Sequence, residues 1–151
     1  MQNTSCKMIY YTWEQFSKDV KLLVRRVKYA KVQPKSIIGI ARGGLVLGVA
    51  LSHKLKAPLT IISTSSYQSK QKLDTIVFNT SFCRPLENPV LVVDDICDSG
   101  RTLDLVLTHV KTFGFDVYSA VLFYKEASYI KPTWYLHKIN KSEQWVKFPW
   151  E

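Results

Sequence analysis

Apolar residues recur along the chain in two spacings, one typical of amphipathic helices and one typical of buried strands. Between Trp13 and Ala30 they return every three or four positions, which predicts a helix with one apolar face. Thr12 precedes this segment and Gln15 follows three residues later, which is the arrangement of a capping box. The short, uninterrupted apolar runs elsewhere are typical of strands buried on both faces of a parallel sheet.

The apolar runs alternate with further helical segments. Strands are predicted at Ser36–Ile40, Leu59–Ser63, Val90–Val93 and Val117–Tyr124. Helices are predicted at Gly43–Lys56, which ends before Pro58, and at Leu103–Phe113, which ends before Gly114. This alternation predicts an α/β fold in which a mostly parallel central sheet carries helices on both faces.

The length and composition indicate one soluble domain. A chain of 151 residues fits a single core, and we expect residues 1–151 to form one domain. No segment approaches the ~20 consecutive apolar residues of a membrane span, and residues 1–8 lack the apolar core of a signal peptide. Three cysteines without metal-binding spacing (Cys6, Cys83 and Cys97) are typical of a reducing compartment. We therefore expect a cytoplasmic protein without a membrane partner.

The chain has 21 Lys and Arg residues and 12 Asp and Glu residues, which gives a formal net charge of +9. This charge allows more than one interpretation. Basic chains often bind nucleic acid, but here the basic residues are dispersed rather than interleaved with aromatic residues on one face. The same charge would steer a strongly anionic small substrate toward its site. A solvated surface would account for most of these basic residues, so charge alone does not decide.

The most specific chemical signal lies in residues 90–102, Val-Leu-Val-Val-Asp-Asp-Ile-Cys-Asp-Ser-Gly-Arg-Thr. A buried strand runs into Asp94 and Asp95, Asp98 follows, and a small polar loop then opens a helix. This loop would lie at the carboxyl edge of the sheet, where open α/β folds bind ligands. Its N–H groups suit a phosphate, and the adjacent carboxylates suit a ribose and Mg²⁺. The simpler alternative is a buried strand followed by an acidic turn.

Residues 90–102 resemble the phosphoribosyl pyrophosphate (PRPP) motif of the type I phosphoribosyltransferases over its whole length. The resemblance runs from about residue 12 to residue 151 and is greatest for the 6-oxopurine branch, the bacterial xanthine-guanine and hypoxanthine enzymes. It rests on these segments: Tyr11–Trp13, Ala41–Leu45, Ser65–Tyr67, Val93–Asp95, Asp98–Gly100 and Pro149–Glu151. It implies the type I phosphoribosyltransferase fold with a small C-terminal hood over about residues 126–151.

The resemblance also implies a role for each polar residue of the motif. Asp94 and Asp95 would hold the ribose hydroxyls and metal-bound water, and Asp98 would act as general base toward the purine N7. The 5′-phosphate loop would comprise Ser99, Gly100, Arg101 and Thr102. Mg²⁺ is the cofactor implied, held by Asp95 and Glu151. The bacterial xanthine-guanine enzymes have glycine at the position of Arg101, although relatives carry a basic residue there, and Glu151 replaces an aspartate.

A second candidate anion site follows the strand predicted at Ser36–Ile40. The tight Gly43-Gly44 turn into a helix directs backbone N–H groups outward, and the guanidinium of Arg42 suits a pyrophosphate. A Gly-Gly pair before a helix is also common as a plain turn. In the resembled family this loop binds pyrophosphate, at the positions of Arg42 and Gly43 here. The peptide bond before the basic residue is often cis there, so we expect a cis bond between Ala41 and Arg42.

The remaining candidate residues concern a lid and the base. The polar segment after the strand predicted at Leu59–Ser63 fits a surface loop, but the resemblance implies a lid over about residues 65–78. Ser66 and Tyr67 would close this lid over the site and exclude water. For the base, the resemblance implies that Lys125 binds the exocyclic O6, Trp145 stacks and the Val146 carbonyl meets the purine edge. From the residues alone, Trp145 reads as core packing and Lys125 as a solvated charge.

The function implied is purine salvage, in which hypoxanthine, guanine or xanthine reacts with PRPP to give a nucleoside 5′-monophosphate and pyrophosphate. One alternative is a regulator that senses PRPP or nucleotide and binds RNA or DNA. Another is a phosphoribosyltransferase for a different base. No clear basic face is evident, so a nucleic-acid partner is not expected, and the pairing of Lys125 with Trp145 favours a 6-oxopurine. The resemblance implies a homodimer or homotetramer, and the sequence does not rank the three bases.

Overall fold

The computed structural model describes residues 7–66, 76–79, 85–140 and 144–151, and these ranges contain three helices and eight strands. The helices are α1 (Trp13–Tyr29), α2 (Gly44–Leu55) and α3 (Arg101–Thr112). The strands are β1 (Lys7–Tyr10), β2 (Ser36–Ala41), β3 (Leu59–Ser66), β4 (Ile76–Asn79), β5 (Val90–Cys97), β6 (Val117–Lys125), β7 (Trp134–Ile139) and β8 (Gln144–Lys147). None of the helices in these ranges has both the length and the apolar character that crossing a membrane requires.

Helix α1 begins as the sequence predicts. The Gln15 backbone N–H donates to Thr12 Oγ1 (3.2 Å), and the Thr12 N–H donates to Gln15 Oε1 (2.9 Å), which completes the capping box. Val20, Leu23 and Val27 bury the apolar face. Trp13, the first residue of this face, has a half-exposed side chain whose ring lies against those of Phe16 and Trp150.

A six-stranded sheet with the order β4-β3-β2-β5-β6-β7 forms the centre of the molecule. All neighbouring strands in it are parallel except β4, which pairs antiparallel with β3. A separate two-stranded parallel sheet joins β1 to β8. The predicted mostly parallel α/β architecture is thereby confirmed.

The central strands are buried on both faces because their alternate side chains meet different helices. In β5, Leu91 and Val93 belong to the core cluster that includes α1 and α2, whereas Val90 and Val92 belong to the cluster that includes α3. All four side chains are fully buried. Each such residue contributes about 1.5–3 kcal/mol through removal of apolar surface from water. This two-sided burial fixes the register of β5 and so the position of everything that follows it.

The strand order places a crevice between β2 and β5. The chain leaves β2 to pair with β3 on one side and returns as β5 on the other side of β2. The connections after β2 and β5 therefore run in opposite directions and separate at the carboxyl ends of these strands. Both loops that the sequence singles out begin at this point.

Two features of the chain differ from the sequence prediction. The strand predicted at Val90–Val93 continues to Cys97, because Asp94 and Ile96 still pair with Val121 and Phe123 of β6. The two adjacent carboxylates therefore lie on the strand rather than in the loop after it. Strands β1, β4, β7 and β8 were not predicted from the sequence. Strand β7 belongs to the central sheet, so the expected hood over residues 126–151 is smaller than predicted, and β8 pairs with β1 in a separate sheet.

Candidate active site

A cavity of about 790 Å³ opens at the crevice between β2 and β5. The predicted site residues among its lining residues are Arg42, Gly43, Asp94, Asp95, Thr102, Trp145, Val146 and Glu151. A smaller cavity of about 90 Å³ adjoins it, and its lining includes Asp98, Ser99 and Gly100. Asp94, Ile96 and Thr102 line both cavities. The fold therefore brings residues from distant parts of the sequence to one place large enough for a small ligand.

The loop after β2 lies directly against the carboxylates of β5. A Cβ atom on Gly43 would be 2.4 Å from Asp95 Oδ2, and one on Gly44 would be 2.5 Å from the Val93 carbonyl oxygen. Only a residue without a side chain allows this approach. The Ala41–Arg42 peptide bond is cis, as predicted. The backbone of this loop thus forms one wall of the cavity within contact distance of Asp95.

The adjacent carboxylates of β5 share an environment that disfavours two negative charges. The Asp95 N–H donates to Asp94 Oδ1 (2.9 Å). Burial, and next the charge of Asp95, raise the pKa of Asp94 well above its ordinary value. Burial also raises the pKa of Asp95, and the charge of Glu151 adds to the rise. The indole Nε1 of Trp150 is buried and has no acceptor in hydrogen-bonding geometry among the described residues. It nevertheless lies near enough to Asp95 to lower the pKa of that carboxyl, against the effect of burial.

The donor set fits a cation whose remaining ligands come from a substrate. In the described parts of the chain, no group of three or more His, Cys, Asp or Glu side chains is arranged to hold a metal ion. Mg²⁺ is commonly bound by one or two carboxylates together with water and substrate phosphates, and Asp94 and Asp95 fit that arrangement. Glu151 Oε2 lies 3.3 Å from Lys147 Nζ, so its carboxylate already has a basic partner.

The predicted 5′-phosphate loop forms the start of α3. Gly100 has φ of +88°, and a Cβ atom there would be 2.4 Å from Ser128 Oγ, so glycine is required both by conformation and by space. The Arg101 N–H donates to Ser99 Oγ (3.3 Å) at the helix start. Helix α3 begins at Arg101, and backbone N–H groups at the start of a helix suit an anion.

A segment that the sequence analysis missed supports the phosphate loop from behind. The Tyr129 N–H donates to the Ser99 carbonyl (3.2 Å), and the Tyr129 hydroxyl donates to Asp104 Oδ2 (3.0 Å). Ser128 Oγ lies 3.2 Å from Cys97 Sγ. These contacts fix the loop between β5 and α3. Nothing in the spacing of Ser128 and Tyr129 connects them to that loop, so no sequence signal could have found them.

Lys125, Asp98 and Trp145 meet beside the phosphate loop. Lys125 ends β6 next to β5, is only 8% exposed, and places Nζ 2.8 Å from Asp98 Oδ1. The same Nζ lies 4.9 Å from the centroid of the Trp145 ring. Trp145 is 40% exposed, whereas Val146 is buried. Lys125 is therefore not a solvated charge, and one face of Trp145 is not taken up by the core.

An aromatic cluster that the sequence analysis also missed attaches β8 to the central sheet. The Tyr11 ring contacts Phe123, Phe148 and Trp150, and its N–H donates to the Lys147 carbonyl (3.0 Å). Its hydroxyl donates to Asp19 Oδ2 (2.6 Å), and burial together with this carboxylate raises the pKa of Tyr11. His137 Nε2 lies 2.6 Å from the same oxygen. The cluster fixes Trp145 and Val146 over the cavity.

The predicted lid lies largely outside the described residues. Tyr67 and the rest of residues 67–75 are among those not described. Ser66 is the last residue of β3 and is in register with Ile76 of β4. The lid over residues 65–78, with Ser66 and Tyr67, therefore stays a prediction.

Comparisons with known proteins agree on one family. The model of the phosphoribosyl transferase domain matches residues 9–151. The xanthine-guanine phosphoribosyltransferase of Nitratidesulfovibrio vulgaris (strain Hildenborough) is 31% identical over 147 residues, covering 96% of this chain and 85% of the relative. A purine phosphoribosyltransferase structure from Pyrococcus horikoshii has a TM-score of 0.80 at 32% identity, covering 96% of this chain and 94% of that one. The Helicobacter pylori xanthine-guanine-hypoxanthine phosphoribosyltransferase has a TM-score of 0.80 at 27% identity, covering 95% and 94%.

Proposed function

Because the chain belongs to the phosphoribosyltransferase family, we propose that it transfers the phosphoribosyl group of PRPP to a 6-oxopurine. The products are a nucleoside 5′-monophosphate and pyrophosphate, which is a purine salvage reaction. The observation that carries this proposal is the meeting of Lys125, Asp98 and Trp145 beside the phosphate loop and the carboxylates of β5. That arrangement offers one place for a base and another for a phosphorylated ribose.

The two ends of PRPP have separate binding elements in this proposal. The 5′-phosphate is bound by the loop Ser99, Gly100, Arg101 and Thr102, where the small cavity lies. The pyrophosphate lies against Arg42 and the backbone of Gly43 in the large cavity. Asp94 and Asp95, which line the large cavity, hold the ribose hydroxyls. Binding both ends fixes C1′ between them and so lowers the entropic cost of reaching the transition state.

Asp95 is the proposed protein ligand for Mg²⁺, together with Glu151 once that carboxylate is released from Lys147. When bound, Mg²⁺ neutralises the charge that develops on the departing pyrophosphate. The support from the structure is the pair of buried carboxylates, whose shared negative charge is disfavoured until a cation is present.

The base is recognised by three groups. The Lys125 ammonium can only donate hydrogen bonds. It therefore donates to an exocyclic oxygen at C6 and finds no acceptor in an amine there. The exposed face of Trp145 stacks on the purine, which is worth about 1–3 kcal/mol per base. The Val146 backbone carbonyl accepts from the purine edge. Since a 6-amino group would place two donors against each other, this pocket favours an oxopurine over adenine.

Asp98 is the proposed general base. In the transfer step the purine N9 forms a bond to C1′, the bond from C1′ to the pyrophosphate oxygen breaks, and Asp98 takes the N7 proton. Asp98 Oδ1 is bound to Lys125 in the free protein, so donation by Lys125 to the purine O6 would release this carboxylate for its task. Ser66 and Tyr67 of the lid would exclude water from the reactive ribosyl centre.

The proposal is tested by incubating the protein with PRPP, Mg²⁺ and, in parallel, hypoxanthine, guanine, xanthine, adenine or uracil. Nucleotide formation with one or more oxopurines, and none with adenine or uracil, is the expected result. Turnover of adenine or uracil alone would overturn the assignment of the base. Tight binding of PRPP without turnover of any base would instead support the regulatory alternative. Gel filtration with light scattering tests the expected homodimer or homotetramer, and cell fractionation tests the expected cytoplasmic location.

A further inference from the structure

Lys147 is a basic residue of the cavity that the proposed reaction does not yet use. It lies on β8 two residues beyond Trp145, and side chains at that spacing point to the same face of a strand. Its side chain lines the large cavity together with Arg42 and Gly43. Its side chain is 47% exposed, so the ammonium group is open to a ligand from solution.

The ammonium of Lys147 lies toward the carboxylate end of the cavity. Its Nζ is 3.3 Å from Glu151 Oε2. The charge of Glu151 in turn acts on Asp95, so the carboxylate that binds Lys147 lies within electrostatic reach of β5. Lys125, by contrast, is engaged with Asp98 and Trp145. The two lysines therefore have separate partners, Glu151 for Lys147, and Asp98 and Trp145 for Lys125.

The large cavity has two basic side chains that could bind the oxygens of a pyrophosphate. Among the described residues that line it, the carboxylates are Asp94, Asp95 and Glu151, and the basic side chains are Arg42 and Lys147. A half-exposed lysine–carboxylate pair is a weak interaction that a stronger anion can displace. A charge-assisted hydrogen bond from an ammonium to a phosphate oxygen is considerably stronger.

We propose, building on the proposed function, that Lys147 is a pyrophosphate-binding residue whose ammonium Glu151 holds in place until substrate arrives. On binding of PRPP, or of product pyrophosphate, the ammonium leaves Glu151 and donates to a pyrophosphate oxygen. The same movement frees the Glu151 carboxylate. Lys147 thus acts together with Arg42 on the leaving group and makes no contact with the base.

The proposal is tested by titration calorimetry with inorganic pyrophosphate, with and without Mg²⁺. Lys147→Met should weaken pyrophosphate binding by about tenfold and Lys147→Arg should restore most of it, while GMP, which lacks a pyrophosphate, should bind within about twofold of wild type. Lys18→Met is the matched control, because Lys18 Nζ lies 2.7 Å from Glu14 Oε1 in the same i,i+4 relation on an exposed helix face. It should leave both affinities unchanged.

A second variant separates ligand binding from a structural role of the ion pair. Without metal, Glu151→Gln frees the Lys147 ammonium and should bind pyrophosphate at least as tightly as wild type. Equal weakening by Glu151→Gln and Lys147→Met would show that only the ion pair matters and would overturn the proposal. Unchanged pyrophosphate affinity in Lys147→Met, or loss of GMP affinity instead, would also overturn it. Failure of the wild-type protein to bind pyrophosphate or PRPP at all would refute the proposed function itself.

Discussion

Gly43→Ala tests whether the loop after β2 must lie directly against Asp95. In the structure, a Cβ atom on Gly43 would be 2.4 Å from Asp95 Oδ2 and 2.6 Å from both Oδ1 and Cγ. The three atoms belong to a short, buried side chain, so rotation of its end cannot relieve the overlap. Either the loop or the carboxylate has to move.

Two opposing effects set the size of the change in stability. Gly43 has φ of −57° and ψ of −42°, which alanine adopts readily, so lower entropy of the unfolded chain favours the variant by about 0.4–1 kcal/mol. Overpacking at a rigid contact costs about 1–3 kcal/mol. The steric effect is the larger, so we expect a net loss of roughly 1–2 kcal/mol. Displacement of Asp95 should also weaken PRPP binding in the presence of Mg²⁺ by at least about tenfold.

Urea denaturation and calorimetry with PRPP measure the two effects of Gly43→Ala. Gly48→Ala is the matched control within α2, because its Cβ atom would press closely only on the end of the Leu59 side chain (3.0 Å), with Val93 Cγ2 at 3.4 Å and Gly39 Cα at 3.6 Å, and because Gly48 does not line the cavity. The control should change stability by less than about 1 kcal/mol and leave PRPP binding intact. Unchanged or increased stability of Gly43→Ala, with PRPP affinity retained, would refute the proposed packing of this loop on Asp95.

Three further substitutions test the site. Asp98→Asn should lower turnover by about 10²- to 10⁴-fold and leave PRPP affinity largely intact, and undiminished turnover would exclude it as the general base. Asp94→Asn should abolish PRPP binding yet stabilise the free protein by about 0.5–2 kcal/mol in thermal unfolding near pH 7, because it removes a buried charge next to Asp95. The raised pKa of Asp94 means that its carboxyl binds a proton more tightly in the folded protein than in the unfolded chain. The contribution of Asp94 to wild-type stability therefore rises as the pH falls, and the stability advantage of the variant should shrink at acidic pH. An advantage that grows at acidic pH would contradict that reasoning. Trp145→Ala should weaken GMP binding by about 1–3 kcal/mol and Trp145→Phe should retain most of the affinity, whereas equal losses would point to a structural role.

The core of the fold could be predicted from the sequence because its signals are local. The capping box at Thr12 and Gln15 and the apolar run that starts at Val90 depend on neighbouring residues, and the structure bears them out. The run also showed that both faces of β5 are buried, which determines where the crevice lies. The end of β5 could not be predicted, because it depends on pairing of Ile96 with Phe123 of another strand.

The parts of the site that were missed depend on contacts between distant positions. Ser128 and Tyr129 support the phosphate loop through hydrogen bonds that no sequence spacing reveals. Tyr11 reads as a residue before a helix, but it connects β8 to the central sheet through its ring and hydroxyl. The short strand β8 carries too few apolar residues for its pattern to distinguish it from a loop. Lys125 and Trp145 were found through a family resemblance, because the pattern of the residues around them does not predict that either side chain lies in a binding pocket.

Phosphorus NMR of one reaction mixture tests the central claim most directly. PRPP, Mg²⁺ and an equimolar mixture of hypoxanthine, guanine and xanthine are followed with wild-type protein and with Asp98→Asn. The account predicts that wild-type protein converts PRPP into equal amounts of nucleoside 5′-monophosphate and pyrophosphate, and that the variant binds PRPP but converts it far more slowly. Persistence of intact PRPP with wild-type protein, or release of pyrophosphate without formation of a nucleotide, would contradict the account.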